Sequence, residues 1–90
     1  MELSDYRARI DQIDRQLVEL FAQRMNTAAG IAAYKKEHGL PVLDPVRERE
    51  KLLDVAAQAP EDMRDYTASL YTMLFELSRC YQGRLLGSTS

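Results

Sequence analysis

Residues 4–38, SDYRARIDQIDRQLVELFAQRMNTAAGIAAYKKEH, run for thirty-five positions without a proline. Within them Ile10, Ile13, Leu17, Leu20, Arg24, Thr27, Ile31 and Tyr34 recur at alternating steps of three and four. That spacing is a heptad seam on one long helix. Ser4 reads as its N-cap, with Asp5 favouring the positive end of the dipole. Gly39, after Lys35, Lys36 and His38, reads as the residue that stops it. Thirty-five residues at 1.5 Å each span roughly 50 Å, whereas a compact chain of this length is only about 30 Å across. The helix must overhang its own domain. Its apolar seam would then face water unless a second copy covers it, so an intertwined homodimer is expected.

Outward from that helix, the strong punctuation lies at Gly39, Pro41 and Pro45 and again at Gln58-Ala59-Pro60. Asp44-Pro45 starts a second helix, because Asp caps well and Pro is tolerated at the first helical position. This helix is expected over 45–57. Pro60-Glu61-Asp62 opens a third over 60–86, with Met63, Tyr66, Leu70, Met73, Leu74, Leu77, Tyr81 and Leu85 lining its buried face and Gly87 with the Ser-Thr-Ser tail ending it. No strand is expected, since no stretch alternates with period two. The fold class is therefore all-α: three helices, one of them long, in a single domain over 1–90.

Composition narrows the function. Twelve basic against 14 acidic residues leave a net charge of −2, which argues against nucleic acid or an anionic membrane as partner. With 46% hydrophobic and 29% charged residues, and only four Gly and three Pro, the chain is globular rather than disordered. The single cysteine, Cys80, cannot close an internal disulfide, and the first residues lack a secretory pattern, so a cytoplasmic location is expected. No apolar run approaches the roughly 20 residues of a membrane span.

Arg24 is the anomaly. It occupies a seam position where a buried residue is expected, and an arginine there should be paired or reserved for an anion. Lys35, eleven residues on, lies only about 20° round the helix and some 16 Å along it. Arg7 lies about 26 Å before Arg24, too far for both to hold one small molecule on a straight helix, although an antiparallel partner chain could bring its own Arg7 there. Arg47 and Glu48 stand in the first turn of the second helix, beside unpaired backbone N–H groups that favour anions. Ser78 and Gln82 form an i,i+4 polar pair on the third helix. Each has an ordinary reading alone: an ion pair for Arg24, a dipole partner for Lys35, solvated positions for Arg7 and Arg47, a pair such as Glu48–Lys51, satisfied polars for Ser78 and Gln82. Together they suit the binding of a compact dianion. His38 and Cys80 read as a solvated helix-end residue and a small packing residue. Gly30, in a helix interior at a cost of roughly 1 kcal/mol, suggests either close approach of another helix or tolerated drift.

At these residues the chain resembles a known family. The run Tyr6-Arg7-x-x-Ile10-x-x-x-Asp14-x-x-Leu17-x-x-Leu20-x-x-x-Arg24, then Ile31-x-x-x-Lys35, Gly39-x-Pro41-Val42-x-Asp44-x-x-Arg47-Glu48 and Ser78-x-x-x-Gln82 is similar to the all-α chorismate mutases. The resemblance implies an intertwined dimer with two sites, each built mostly by one chain, and conversion of chorismate to prephenate in aromatic amino-acid biosynthesis. It implies that Arg7 crosses to the partner's site and that Arg24 and Arg47 hold the substrate carboxylates. Lys35 would bind a carboxylate and the ether oxygen, and Gln82 would donate to that same oxygen. Glu48 and the backbone near Asp44 would take the substrate hydroxyl, and Ser78 a carboxylate. The rearrangement is pericyclic, so no metal, cofactor or covalent nucleophile is expected. Two rivals remain: an isochorismate-pyruvate lyase of the same fold, and a non-catalytic helical dimerisation module whose arginines only form ion pairs. The compact Gly39-to-Asp44 connection and the Asp44–Glu48 pair favour the mutase.

Overall fold

The structure, a computed structural model, describes residues 1–86. It contains α1 (Leu3–Glu37), α2 (Pro45–Gln58), a short 3-10 turn at Glu61–Met63 and α3 (Arg64–Leu86), with no strand among the described residues. The expected ending of the third helix at Gly87 and the tail lies outside those residues. Among the described residues no helix is long and apolar enough to cross a membrane.

The helix ends follow local chemistry. At the start of α1 the cap is Glu2 rather than Ser4, because Asp5 reaches back from the third helical position and accepts the Glu2 N–H at 2.9 Å. An acid at that position satisfies the end that a serine cap would otherwise serve. At the other end Gly39 adopts φ +67° and donates to Lys36 O, while Leu40 donates to Lys35 O at 2.7 Å. These bonds close a Schellman turn, in which only glycine avoids a steric cost. Asp44 caps α2, its Oδ1 accepting the Arg47 N–H at 3.0 Å, and Pro45 takes the first helical position. Pro60 opens the 3-10 turn rather than α3 itself, which begins at Arg64.

The contacts between helices give the topology. Arg24, Ala28 and Lys36 of α1 meet Ser78, Gln82 and Leu86 of α3 in ascending order, so these two helices run parallel. Helix α2 descends between them in sequence and packs on α3. Every residue from 1 to 23 is exposed, so the N-terminal half of α1 projects beyond the packed part. The chain measures 54 × 26 × 20 Å with a radius of gyration of 16.3 Å, against about 12 Å for a compact chain of its length.

The core is correspondingly thin: among the described residues Ala32, Val55 and Phe75 are the buried apolar ones, and Ser78 is buried with them. The seam stands open, with Leu17 at 56%, Leu20 at 60% and Ile31 at 52% exposure. One expectation for α3 is corrected here. Met63, Tyr66, Leu70, Met73, Leu77 and Leu85 are exposed within the chain, and Leu74 and Tyr81 are half-buried. The face turned inward carries Tyr71, Phe75, Ser78 and Gln82 instead, one residue or about 100° round the helix. Apolar residues cover more than one arc of α3, so periodicity alone does not say which arc its own chain covers. A Cβ on Gly30 would meet nothing within 4 Å, so no other helix among the described residues packs against it.

Candidate functional site: a cationic cavity among the three helices

A cavity of about 500 Å³ opens where α1, the Leu40–Asp44 connection, α2 and α3 converge. That volume suits a small organic ligand. Arg24, Ala28, Ile31 and Lys35 reach it from α1 at steps of four, three and four, which keeps them on one helical face. Val42, Leu43 and Asp44 line it from the connection, Arg47 and Glu48 from α2, and Phe75, Ser78, Arg79 and Gln82 from α3. The structure thus brings together seven of the eight residues singled out from sequence. Arg7 is absent from the wall and sits exposed on the projecting half of α1.

Arg24 is held by neutral partners. Its guanidinium lies 5.4 Å from the Tyr71 ring centroid and 5.6 Å from that of Phe75, and Nη1 donates to Ser78 Oγ at 3.4 Å. Aromatic faces and a hydroxyl stabilise the cation without neutralising it. Ser78 Oγ in turn lies 3.6 Å from Met25 Sδ. Gln82 donates from Nε2 to Ala28 O at 3.0 Å, which fixes its amide against α1 and leaves a second N–H to offer.

The remaining cations differ in what they face. Lys35 Nζ is 4.0 Å from Asp44 Oδ2, a loose pair across the mouth between α1 and α2. Lys36 donates to Leu86 O at 3.3 Å. Arg79, which sequence reading passed over, donates from Nη1 to both carboxylate oxygens of Glu48 at 2.7 and 2.8 Å. Its signal was its place three residues before Gln82, on the same side of α3. The Glu48–Lys51 pair considered from sequence does not form, since Lys51 pairs with Asp54 at 3.4 Å. Among the described residues neither Arg24 nor Arg47 has a carboxylate within ion-pair distance. Arg24 and Arg47, without a carboxylate partner among the described residues, thus line one hollow together with Lys35 and Gln82, a donor set with the chemistry to hold negative groups.

A second hollow, about 410 Å³, lies on the outer face of α1 and is lined by Leu20, Gln23, Arg24, Thr27, Ala28 and Ile31. Arg24, Ala28 and Ile31 belong to both hollows, so the open seam runs directly into the cationic cavity.

Comparison with known proteins gives this arrangement a family. The model for chorismate mutase type II matches residues 6–83. A T-protein of Haemophilus influenzae is 44% identical over 46 residues, which are 51% of this chain and 12% of that protein. A chorismate mutase of Methanocaldococcus jannaschii is 38% identical over 48 residues, 53% of this chain and 48% of that protein. A T-protein of Enterobacter agglomerans is 37% identical over 51 residues, 57% of this chain and 14% of that protein. The matches therefore span less than half the length of each of these relatives. No solved structure matches the chain. Because the family match covers residues 6–83, from the projecting half of α1 into α3, and so takes in all of the cavity lining except Leu86, the chain belongs to the chorismate mutase type II family.

Proposed function

We propose that the chain acts as a homodimeric chorismate mutase, rearranging chorismate to prephenate in the cationic cavity. The observation that carries this reading is the pair of uncompensated guanidiniums, Arg24 and Arg47, facing one hollow together with Lys35 and Gln82. Chorismate is a dianion whose two carboxylates lie on different arms. Cations fixed on α1 and α2 would grip both arms and hold the enolpyruvyl group over the ring, so that the reacting carbons begin close together. Ser78 would add a hydrogen bond to a carboxylate.

In the reaction the ether carbon–oxygen bond breaks as a carbon–carbon bond forms within the same molecule, and no proton moves. Negative charge builds on the ether oxygen in the transition state. Lys35 and the free N–H of Gln82 are preorganised donors for that charge, and such stabilisation supplies most of the rate. Glu48 would accept from the ring hydroxyl, and the backbone near Asp44 would help to hold it.

The dimer belongs to the same reading. The exposed strip of Ile10, Ile13, Leu17, Leu20, Ile31 and Tyr34 is longer than a monomer of this size ordinarily leaves in water, and it leads into the cavity through the second hollow. A second chain laid antiparallel on that strip would bury it and bring its own Arg7 to the Arg24 end of the cavity. The test follows chorismate absorbance with wild type and Arg24→Ala side by side, and identifies the product. Prephenate supports the mutase; pyruvate with salicylate would replace it by the lyase. No turnover together with no binding would leave the dimerisation module.

A further inference from the structure

The wall of the cavity holds one carboxylate that is gripped through both of its oxygens by a neighbouring arginine. Glu48, in the first turn of α2, accepts from Arg79 Nη1 through both of its oxygens, at 2.8 and 2.7 Å. The contact links α2 to α3 directly beside the cations of the cradle. A glutamate side chain has three rotatable bonds, and one left unheld among Arg24, Lys35 and Arg47 would be drawn onto them. It would then neutralise the charge that an incoming carboxylate needs.

We propose that Arg79 is a positioning residue that keeps Glu48 at the wall, so that Arg24 and Arg47 stay open to the substrate carboxylates and Glu48 is aimed at the substrate hydroxyl. This rests on the mutase reading given above and adds to it a residue and a role. The geometry is suited to the task in two respects. A single nitrogen shared between the two carboxylate oxygens occupies only part of their accepting capacity, so a hydroxyl can still donate to Glu48. The pair is also semi-exposed, with side-chain exposures of 44% for Arg79 and 31% for Glu48, and surface pairs of this kind contribute little to folding. Arg79 therefore acts on the site far more than on the fold. The arrangement selects for substrate class as well: a hydroxyl opposite Glu48 is accepted, whereas a third carboxylate there would meet like charge.

The test is a cycle of Arg79→Met, Glu48→Gln and the double variant, with Arg79→Lys as the conservative change. It is read as KM and kcat for chorismate and as the calorimetric Kd of prephenate. Arg79→Met is expected to raise KM and Kd by about tenfold with a smaller fall in kcat, and to leave the melting temperature within a few degrees of wild type. Arg79→Lys should recover part of that loss. In the Glu48→Gln background, where the side chain is neutral, Arg79→Met should change KM by less than about twofold, because Arg79 acts through Glu48. The proposal is overturned if Arg79→Met leaves KM and Kd within about twofold of wild type, or raises them equally in both backgrounds. A wild type that neither turns over chorismate nor binds prephenate would sink the mutase reading and this assignment with it. An active wild type with an unaffected Arg79→Met variant would sink the assignment alone.

Discussion

Arg24 Nη1 donates to Ser78 Oγ at 3.4 Å across 54 positions of sequence, and this contact joins α1 to α3 at the floor of the cavity. The hydroxyl and the faces of Tyr71 and Phe75 orient the guanidinium without cancelling its charge. Arg24→Ala is therefore expected to remove charge-assisted contacts to a substrate carboxylate worth together about 3 kcal/mol, lowering kcat/KM by more than a hundredfold. Arg24→Met keeps an apolar stem against the rings and should cost no more than about 1–2 kcal/mol of stability while losing the same activity. Steady-state kinetics beside urea denaturation separate the two effects. A variant as active as wild type would remove Arg24 from the site.

How far the sequence foretold this site depends on whether a feature is local. The Asp44-Pro45 start of α2 and the Gly39 stop of α1 are written in a few adjacent residues, and the structure has both. Arg24 and Lys35 share a face because helical geometry alone puts them there. The Glu48–Arg79 pair joins residues on different helices, and no spacing rule connects them. The inward face of α3 was likewise illegible. Tyr71 and Phe75 sit beside an equally apolar arc holding Leu70, Met73 and Leu77, and the choice between arcs is made by how the helices pack. Glu2 at the first cap went unread because glutamate is a poor N-cap by itself, and the bond that closes the turn comes from Asp5.

Donors aimed at the ether oxygen should control turnover, and contacts to the carboxylates should control binding. Lys35→Ala and Gln82→Ala are expected to lower kcat by about 10²–10³ each, as loss of one preorganised donor does elsewhere. Ser78→Ala, whose hydroxyl already serves Arg24, should lower it by less than about tenfold. Equal losses in all three would refute the ordering. Gln82 carries no titrating proton, so this donor gives the wild type no acid-limb requirement across about pH 6–8. Gln82→Glu replaces the donor by a carboxylate that only accepts at neutral pH, and its activity should rise as the pH falls. A Gln82→Glu profile parallel to wild type would place Gln82 away from the reacting oxygen.

Gly39 has φ +67° and nothing within 4 Å of where a Cβ would stand, so a substitution there meets backbone strain and no steric contact. Gly39→Ala should destabilise by about 1–2 kcal/mol, and Gly39→Asn by less. Calorimetry would read the first as a fall in Tm of at least about 4 °C. Because the turn also sets Lys35 against Asp44, the alanine variant should bind substrate more weakly as well. Gly30 behaves oppositely in the isolated chain, where alanine fits freely and gains up to about 1 kcal/mol of helix propensity. A destabilising Gly30→Ala would report a partner chain packed against that turn.

The dimer is testable through Arg7, because that residue lies about 26 Å from Arg24 along a straight helix and cannot serve the cavity of its own chain. Light scattering at micromolar concentration should give twice the 10.3 kDa of one chain. Arg7→Ala should lose activity although its own cavity is intact. If Arg7 crosses, mixing inactive Arg7→Ala with inactive Arg24→Ala after unfolding and refolding together must restore function. In a mixed dimer one site receives Arg24 from one chain and Arg7 from the other, while the second site lacks both. Random pairing makes half the dimers mixed, with one working site in two, so activity should return to about a quarter of wild type. An arginine acting within its own chain predicts no recovery at any mixing ratio, and a monomeric mass would leave the exposed seam of α1 without the cover assigned to it.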